Sequence, residues 1–408
     1  MVVRVVIFDY KALLAQPGTA HAYSARAMLD WLHAQGIRWC IFSTDPFSEH
    51  QQQWFTQLGY PPASLRVDLS HIASGKRRGS PDWVDVVTQA FRLQRYELLY
   101  VGCTTLDWRT AINSGVLYLH ANWAAAQPAG TTSLAVNSPT DVLHFVHTFL
   151  TSPPSWSHSW DDDRWRLRSL LPARASLPST SPSERFTLQD VFTYDKAIKI
   201  SNSDARDMLM LFVLTNAYAE GLIPAHPLIC VYPSSKKGKV SSQLETYLDK
   251  AAKLFHGYYR DDLLVRAADA PGTSLERWRA KQGNRAADVS IATQAQTVHL
   301  GPTYRGKLTG KTVVVFDDFT TNGMSLEWAR LLLAAAGAEW IVMLTLGKYG
   351  TGHTHYDLNS GITLVPFGIN TLTSDAFSAT PRQPVFNPAA EMNLCDKISN
   401  FITTSSSN

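Results

Sequence analysis

Runs of β-branched and other apolar residues alternate along this chain with stretches whose apolar positions recur at helical spacing. Residues 2–8 form the first run and predict a strand covered on both faces. A helix follows over about 20–34, with Ala27, Met28, Trp31 and Leu32 on one face and Gly36 as its stop. Further strands are expected at 38–42, 98–101 and 116–120, and helices at 49–58, 81–91, 106–113 and 141–150. Ser80 and Pro81 supply the cap and first residue of the helix to Phe91. Alternation of this kind implies a parallel sheet with helices on both faces.

At residues 151–185 the periodicity vanishes and Pro and Ser accumulate, which predicts a linker. Its tryptophans, Trp156, Trp160 and Trp165, imply that part of it packs on a domain surface. The pattern then resumes, with helices at about 203–220, 240–255 and 326–336 and strands at 228–232, 312–316 and 340–346. Beyond Thr373 the chain reads as irregular and ends in SSSN, which predicts fraying. The expectation is an α/β protein of two Rossmann-like parallel-sheet domains, 1–150 and 186–375. A Pro/Ser-rich linker at 151–185 joins them, and an irregular tail follows at 376–408.

Of the 408 residues, 45% are hydrophobic and 17% charged, so sizeable cores are available and a disordered chain is excluded. The net charge of +3 is spread evenly, so no strong nucleic-acid signal exists. The four cysteines form no CxxC pair, and Cys40 and Cys230 sit in strand-like runs as expected buried thiols. A zinc site or disulfide framework is therefore not expected, and a reducing cytoplasm is. The opening apolar run is too short for a signal peptide, and no membrane-spanning run occurs. Oligomeric state and protein partners stay open.

Residues 312–326 read TVVVFDDFTTNGMSL: a buried strand, two acids, a small polar turn, then a helix. Turn and helix start present unpaired N–H groups, and Gly323 lets the backbone approach an anion. Thr320, Thr321 and Ser325 add hydroxyls beside Asn322 and Met324. Asp317 and Asp318 repel phosphate, so they are suited to sugar hydroxyls, magnesium or developing positive charge. On this reading a valine at Gly323 abolishes anion binding and spares the fold. The segment resembles the signature of type I phosphoribosyltransferases, which bind 5-phosphoribosyl-1-pyrophosphate (PRPP) with Mg²⁺. The resemblance implies a 5-phosphate site at Thr320–Ser325 and a catalytic role for Asp317 and Asp318. It also implies a pyrophosphate loop at Ser234, Ser235, Lys236 and Lys237, within CVYPSSKKGK. A mobile catalytic loop is implied among Arg260, Arg266, Arg277, Arg279, Lys281 and Arg285. Lys348, Tyr349 and Phe367 lie where such proteins contact their acceptor.

Residues 8–15, FDYKALLA, place Asp9 at the carboxyl end of a strand, where ligands bind in open α/β sheets. With IFST (41–44), Lys76 or Arg77, and VGCTTLDWRTAINSG (101–115), residues 1–150 resemble the haloacid dehalogenase-like (HAD) superfamily. The resemblance implies Asp9 as nucleophile, Thr44 in the second motif, Lys76 or Arg77 as the third-motif cation and Asp107 in the fourth. Lys11 stands where the general acid is expected and Cys103 where a metal-binding Asp is expected. Magnesium demands oxygen ligands, so its affinity should fall, with Lys11 neutralising Asp9 in its place. The expectation is a phosphatase-derived, inactive domain.

The leading function is thus an Mg-dependent phosphoribosyltransferase using PRPP and a base-like small-molecule acceptor. The alternatives are a PRPP- or nucleotide-sensing module that controls a partner, and a nucleotide phosphatase run by the first domain. Fusions resembling this one are associated with bacterial stress and phage-conflict gene clusters, which implies an effector role.

Overall fold

The computed structural model describes residues 2–238, 242–256, 258–270 and 290–406. The chain divides into two α/β units. One comprises Met1–Pro154, Leu214–His226 and Lys250–Gly257; the other comprises Ser155–Val213, Pro227–Asp249 and Tyr258–Asn408. No helix among the described residues is long and apolar enough to cross a membrane. All four cysteines are free thiols, and Cys40, Cys103 and Cys230 are buried.

The first unit holds a six-stranded parallel sheet in the order Leu65–Val67, Arg38–Phe42, Val5–Asp9, Leu98–Gly102, Leu117–Ala121, Leu134–Val136. Every residue of Val5–Asp9, Leu98–Gly102 and Leu117–Ala121 is buried, which accounts for their unbroken apolar character. Trp83, Val84 and Val87 of helix Asp82–Phe91 share one core with Ile7, Phe42 and Tyr100. Strand order runs outward in both directions from Val5–Asp9, so its carboxyl end lies at a topological switch point. Later segments complete this unit. The Tyr218 hydroxyl lies 2.7 Å from the carbonyl oxygens of both Arg95 and Leu98. The His256 ring meets Trp108 edge-on at 4.2 Å.

The second unit is built on a seven-stranded sheet in the order Tyr258–Tyr259, Leu228–Val231, Thr312–Thr320, Trp340–Lys348, Trp165–Pro172, His158–Asp161, Val385–Phe386. The first five strands are parallel and the last two antiparallel to their neighbours. Two expectations need correction. Residues 151–185 are not an irregular linker: Trp165–Pro172 lies inside the sheet, with Trp165 and Leu167 in its core. Arg168, on the same strand, is buried, with its Nη1 2.7 Å from Asp161 Oδ1. Nor is 376–408 irregular. Phe377–Arg382 pairs with His353–Leu358, and Ala389–Ser406 is a helix whose Ala390, Leu394, Ile398 and Ile402 are all buried. Their four-residue spacing is the apolar stripe of a packed helix.

Candidate functional site

In the second unit, Leu228–Val231 and Thr312–Thr320 are adjacent parallel strands, with Val231 opposite Phe316. The loops that follow them therefore leave the same edge of the sheet. Loop 232–238 is held from below by Arg266, a buried side chain. Its Nε donates to the Ser234 carbonyl, its Nη1 to Thr297 Oγ1 at 2.7 Å and its Nη2 to Gln294 Oε1 at 3.2 Å. Gln294 Oε1 also accepts from the Tyr232 hydroxyl at 2.7 Å. The upper side of the loop carries exposed Lys236 and Lys237 beside half-buried Ser234 and Ser235. There the Asp269 carboxylate accepts from the Lys237 N–H at 2.7 Å and lies 3.3 Å from Lys236 Nζ. An anion, supplied by the chain itself, thus sits on this loop. Of the six basic residues, Arg266 organises the loop from inside. Arg260 is exposed, and Arg277, Arg279, Lys281 and Arg285 lie outside the described residues.

Strand Thr312–Thr320 runs four residues further than its apolar part, pairing through Asp317 with Thr345 and through Thr320 with Lys348. Opposite Phe319 stands Gly347, where a Cβ would come 2.6 Å from the Phe319 ring, so glycine is required there. Asp317 and Asp318 are half-buried. Burial, and then the Asp318 carboxylate, push Asp317 well above the usual carboxylate range; burial also raises Asp318. Both are poised to gain from a cation or a hydroxyl donor.

The turn that follows differs from a bare cradle. Thr320 is buried in the sheet, Thr321 is half-buried and Asn322 is exposed. Gly323 has φ 82° and caps helix Met324–Ala335, and Ser325 lies in the first turn, where N–H groups lack helical partners. Met324 packs against the core. The space beside Gly323 belongs to His353: a Cβ there would fall 1.9 Å from its Cε1. His353 is buried, and its Nε2 is 2.8 Å from Oε1 of Glu327, which is wholly buried. Glu327 Oε2 accepts from Arg330 Nε at 2.9 Å and from the Tyr356 N–H at 3.2 Å. Burial would raise the Glu327 carboxyl, but the imidazoles of His353 and His355 and the Arg330 charge hold it down at about 2. The glycine is therefore demanded first by packing, which corrects the expectation that valine would spare the fold.

Lys348 also departs from its expected role. It is buried, with Nζ bonded to the Thr321 carbonyl and to the Gly352 carbonyl at 2.7 Å, so it ties the turn together and does not face an acceptor. Burial lowers its pKa to about 8. Tyr349 takes a 2.5 Å hydrogen bond from Gln189, and Phe367 packs on the core.

In the first unit, Asp9 ends its strand buried, and its Oδ1 accepts from the Lys11 N–H at 2.8 Å. The Lys11 side chain is exposed, Thr44 is exposed where Ser43 is buried, and exposed Lys76 pairs with Asp82 at 3.5 Å. None of the three makes a side-chain hydrogen bond or ion pair to Asp9. The cation that does is Arg78, whose Nη2 is 2.7 Å from Asp9 Oδ2, touches Asp107 Oδ1, and lies 3.0 Å from the Tyr100 hydroxyl. Lys11 therefore does not neutralise Asp9 as expected; Arg78 does. Asp107 also closes a capping box with Thr104 at the start of helix Thr105–Ser114. Its Oδ2 accepts from the N–H groups of Cys103 at 3.0 Å and Thr104 at 2.8 Å. Burial, and then Asp9, raise the Cys103 thiol to about 12, so it stays protonated.

No family model and no curated protein sequence matches the chain. Solved structures match its N-terminal part. A HAD-superfamily hydrolase, subfamily IA, variant 1, from Geobacter sulfurreducens is 14% identical over 35% of this chain and 95% of its own, at a TM-score of 0.26. The cobalt-bound deoxy-D-mannose-octulosonate 8-phosphate phosphatase from Haemophilus influenzae is 15% identical over 30% of this chain and 71% of its own, at a TM-score of 0.23.

Proposed function

We propose that the second unit binds PRPP, with Mg²⁺ carried on its pyrophosphate, and transfers the phosphoribosyl group to a base-like small molecule. The observation that carries this reading is the juxtaposition of two anion-suited loops, 232–238 and 320–325, at the ends of adjacent strands beside an acidic pair. The 5-phosphate would rest on the N–H groups at the start of helix Met324–Ala335, and the pyrophosphate on Ser234, Ser235, Lys236 and Lys237, in place of Asp269. The Asp317 and Asp318 carboxyl groups are hydrogen-bonded to each other, so they would face an ion as a pair, and the substrate would supply the remaining oxygen ligands. The chemistry that Mg²⁺ would supply there is neutralisation of the pyrophosphate charge. Asp317 and Asp318 would oppose the positive charge that grows on the ribose as its C1–O bond breaks.

Calorimetric titration with PRPP and Mg²⁺, followed by an assay of pyrophosphate release with a panel of bases, tests the reading. Binding and release that are lost in Asp317→Asn/Asp318→Asn support transfer. Binding without release for any base favours a sensing module instead, and absence of PRPP binding removes both. For the first unit, Arg78 on both carboxylates argues against phosphatase chemistry at Asp9. A bacterial stress or phage-defence role, in the cytoplasm, remains the setting we propose.

A further inference from the structure

We propose that Arg78 is an internal replacement for a divalent cation, making the pocket of the first unit a metal-refusing ion cluster. Ligand atoms of Asp9, Cys103 and Asp107 lie within 4.8 Å of one another, close enough to share one small cation. All three side chains are buried. The position among them is taken by the Arg78 guanidinium, whose Nη2 serves Asp9, Asp107 and Tyr100 together.

Every carboxylate oxygen is already an acceptor. Asp9 Oδ1 takes the Lys11 N–H and lies 3.4 Å from Cys103 Sγ, and Asp9 Oδ2 takes Arg78. Asp107 Oδ1 takes Arg78 and, at 2.8 Å, the Tyr100 hydroxyl. Asp107 Oδ2 takes two N–H groups and the Thr104 hydroxyl at 2.8 Å. A cation would have to expel a buried guanidinium and break these bonds.

Arg78 is also held by its backbone. The next residue, Gly79, has φ 103°, and its N–H donates to Thr110 Oγ1 at 2.7 Å. Its carbonyl accepts from Asn113 Nδ2 at 2.7 Å. Both partners sit on helix Thr105–Ser114, which also carries Asp107. The arginine and Asp107 are thus fixed to one frame, and Asp9 meets them from the end of strand Val5–Asp9.

Manganese titration of the full chain, read by calorimetry and by paramagnetic resonance of free Mn²⁺, tests this. The native protein is expected to bind no Mn²⁺ that depends on Asp9. Micromolar binding that disappears in Asp9→Asn would overturn the proposal. Arg78→Ala is expected to gain one Mn²⁺ per chain that the native protein does not bind, since two buried carboxylates are left without their cation. That gain should vanish in Arg78→Ala/Asp9→Asn. Arg78→Gln, which keeps more of the side-chain volume, serves if the alanine variant does not fold. A folded variant without arginine that still refuses Mn²⁺ would show that the guanidinium is not what excludes the ion.

Discussion

Replacing Gly323 by alanine places a methyl group 1.9 Å from His353 Cε1 and 2.3 Å from its Nδ1. The imidazole must move by more than an ångström, because carbon atoms pack at roughly 3.5–4 Å. That movement breaks the 2.8 Å bond from His353 to Glu327. A hydrogen bond to a charged group is worth about 1.5–3 kcal/mol, and an L side chain at φ 82° costs about 1–2 kcal/mol. The sum is a loss of about 2.5–5 kcal/mol, a large part of a typical domain's stability. Urea unfolding followed by near-UV circular dichroism measures it. A loss of about 2 kcal/mol or less would refute the packing argument, since the strain alone accounts for that much. The double variant Gly323→Ala/His353→Ala separates the two terms: it should be less stable than His353→Ala by the strain alone. If the full loss persisted there, the ring would not be the obstacle.

Three further outcomes are expected. Asp317 has a folded pKa above its ordinary value of 3.8, so its stabilising contribution is complete below that pH and is lost as pH rises through the raised value. Asp317→Asn should therefore raise the melting temperature at pH 7 and give a shrinking gain as pH falls toward 4; no gain at pH 7 would contradict the burial argument. Asp269→Asn should tighten inorganic pyrophosphate binding by about two- to fivefold at low salt, the worth of an exposed ion pair, and weaker binding in calorimetry would place pyrophosphate elsewhere. Ile398→Ala should cost about 2–5 kcal/mol in thermal or urea unfolding, a loss that a frayed tail would not show.

The parallel sheets were legible because strands buried on both faces must be apolar throughout, as in Val5–Asp9 and the first half of Thr312–Thr320. The strand-to-helix turn at Gly323 was legible because a tight turn demands glycine, although the ring that demands it here, His353, was not. Arg78 was not. It follows Lys76 and Arg77, and three consecutive cations carry no spacing signal that says which turns inward. Gly79 and its bonds to Thr110 and Asn113 decide it, and those partners lie over thirty residues away. His353 and Glu327 escaped for a similar reason. Only HTHYD, with two histidines on alternate strand positions, hinted that one face there is polar. Strand Trp165–Pro172 was hidden by the Ser and Pro around it and by Arg166 and Arg168 within it. The tail helix carries its apolar stripe in the sequence, beside a polar SSSN ending that has none.

The first unit draws on three separate stretches of chain, and this has a consequence during synthesis. When Pro154 has been joined, all six strands of the sheet exist. Tyr218, which lies against the carbonyls of Arg95 and Leu98, and His256, which covers Trp108, do not yet exist. The ribosome must add about a hundred residues more before this unit can close, most of them belonging to the other unit. Until then Trp108 lacks its ring partner on the nascent chain. Translation speed across residues 155–257, and any chaperone that shields that surface meanwhile, should govern the yield of folded protein more than the stability of either finished sheet.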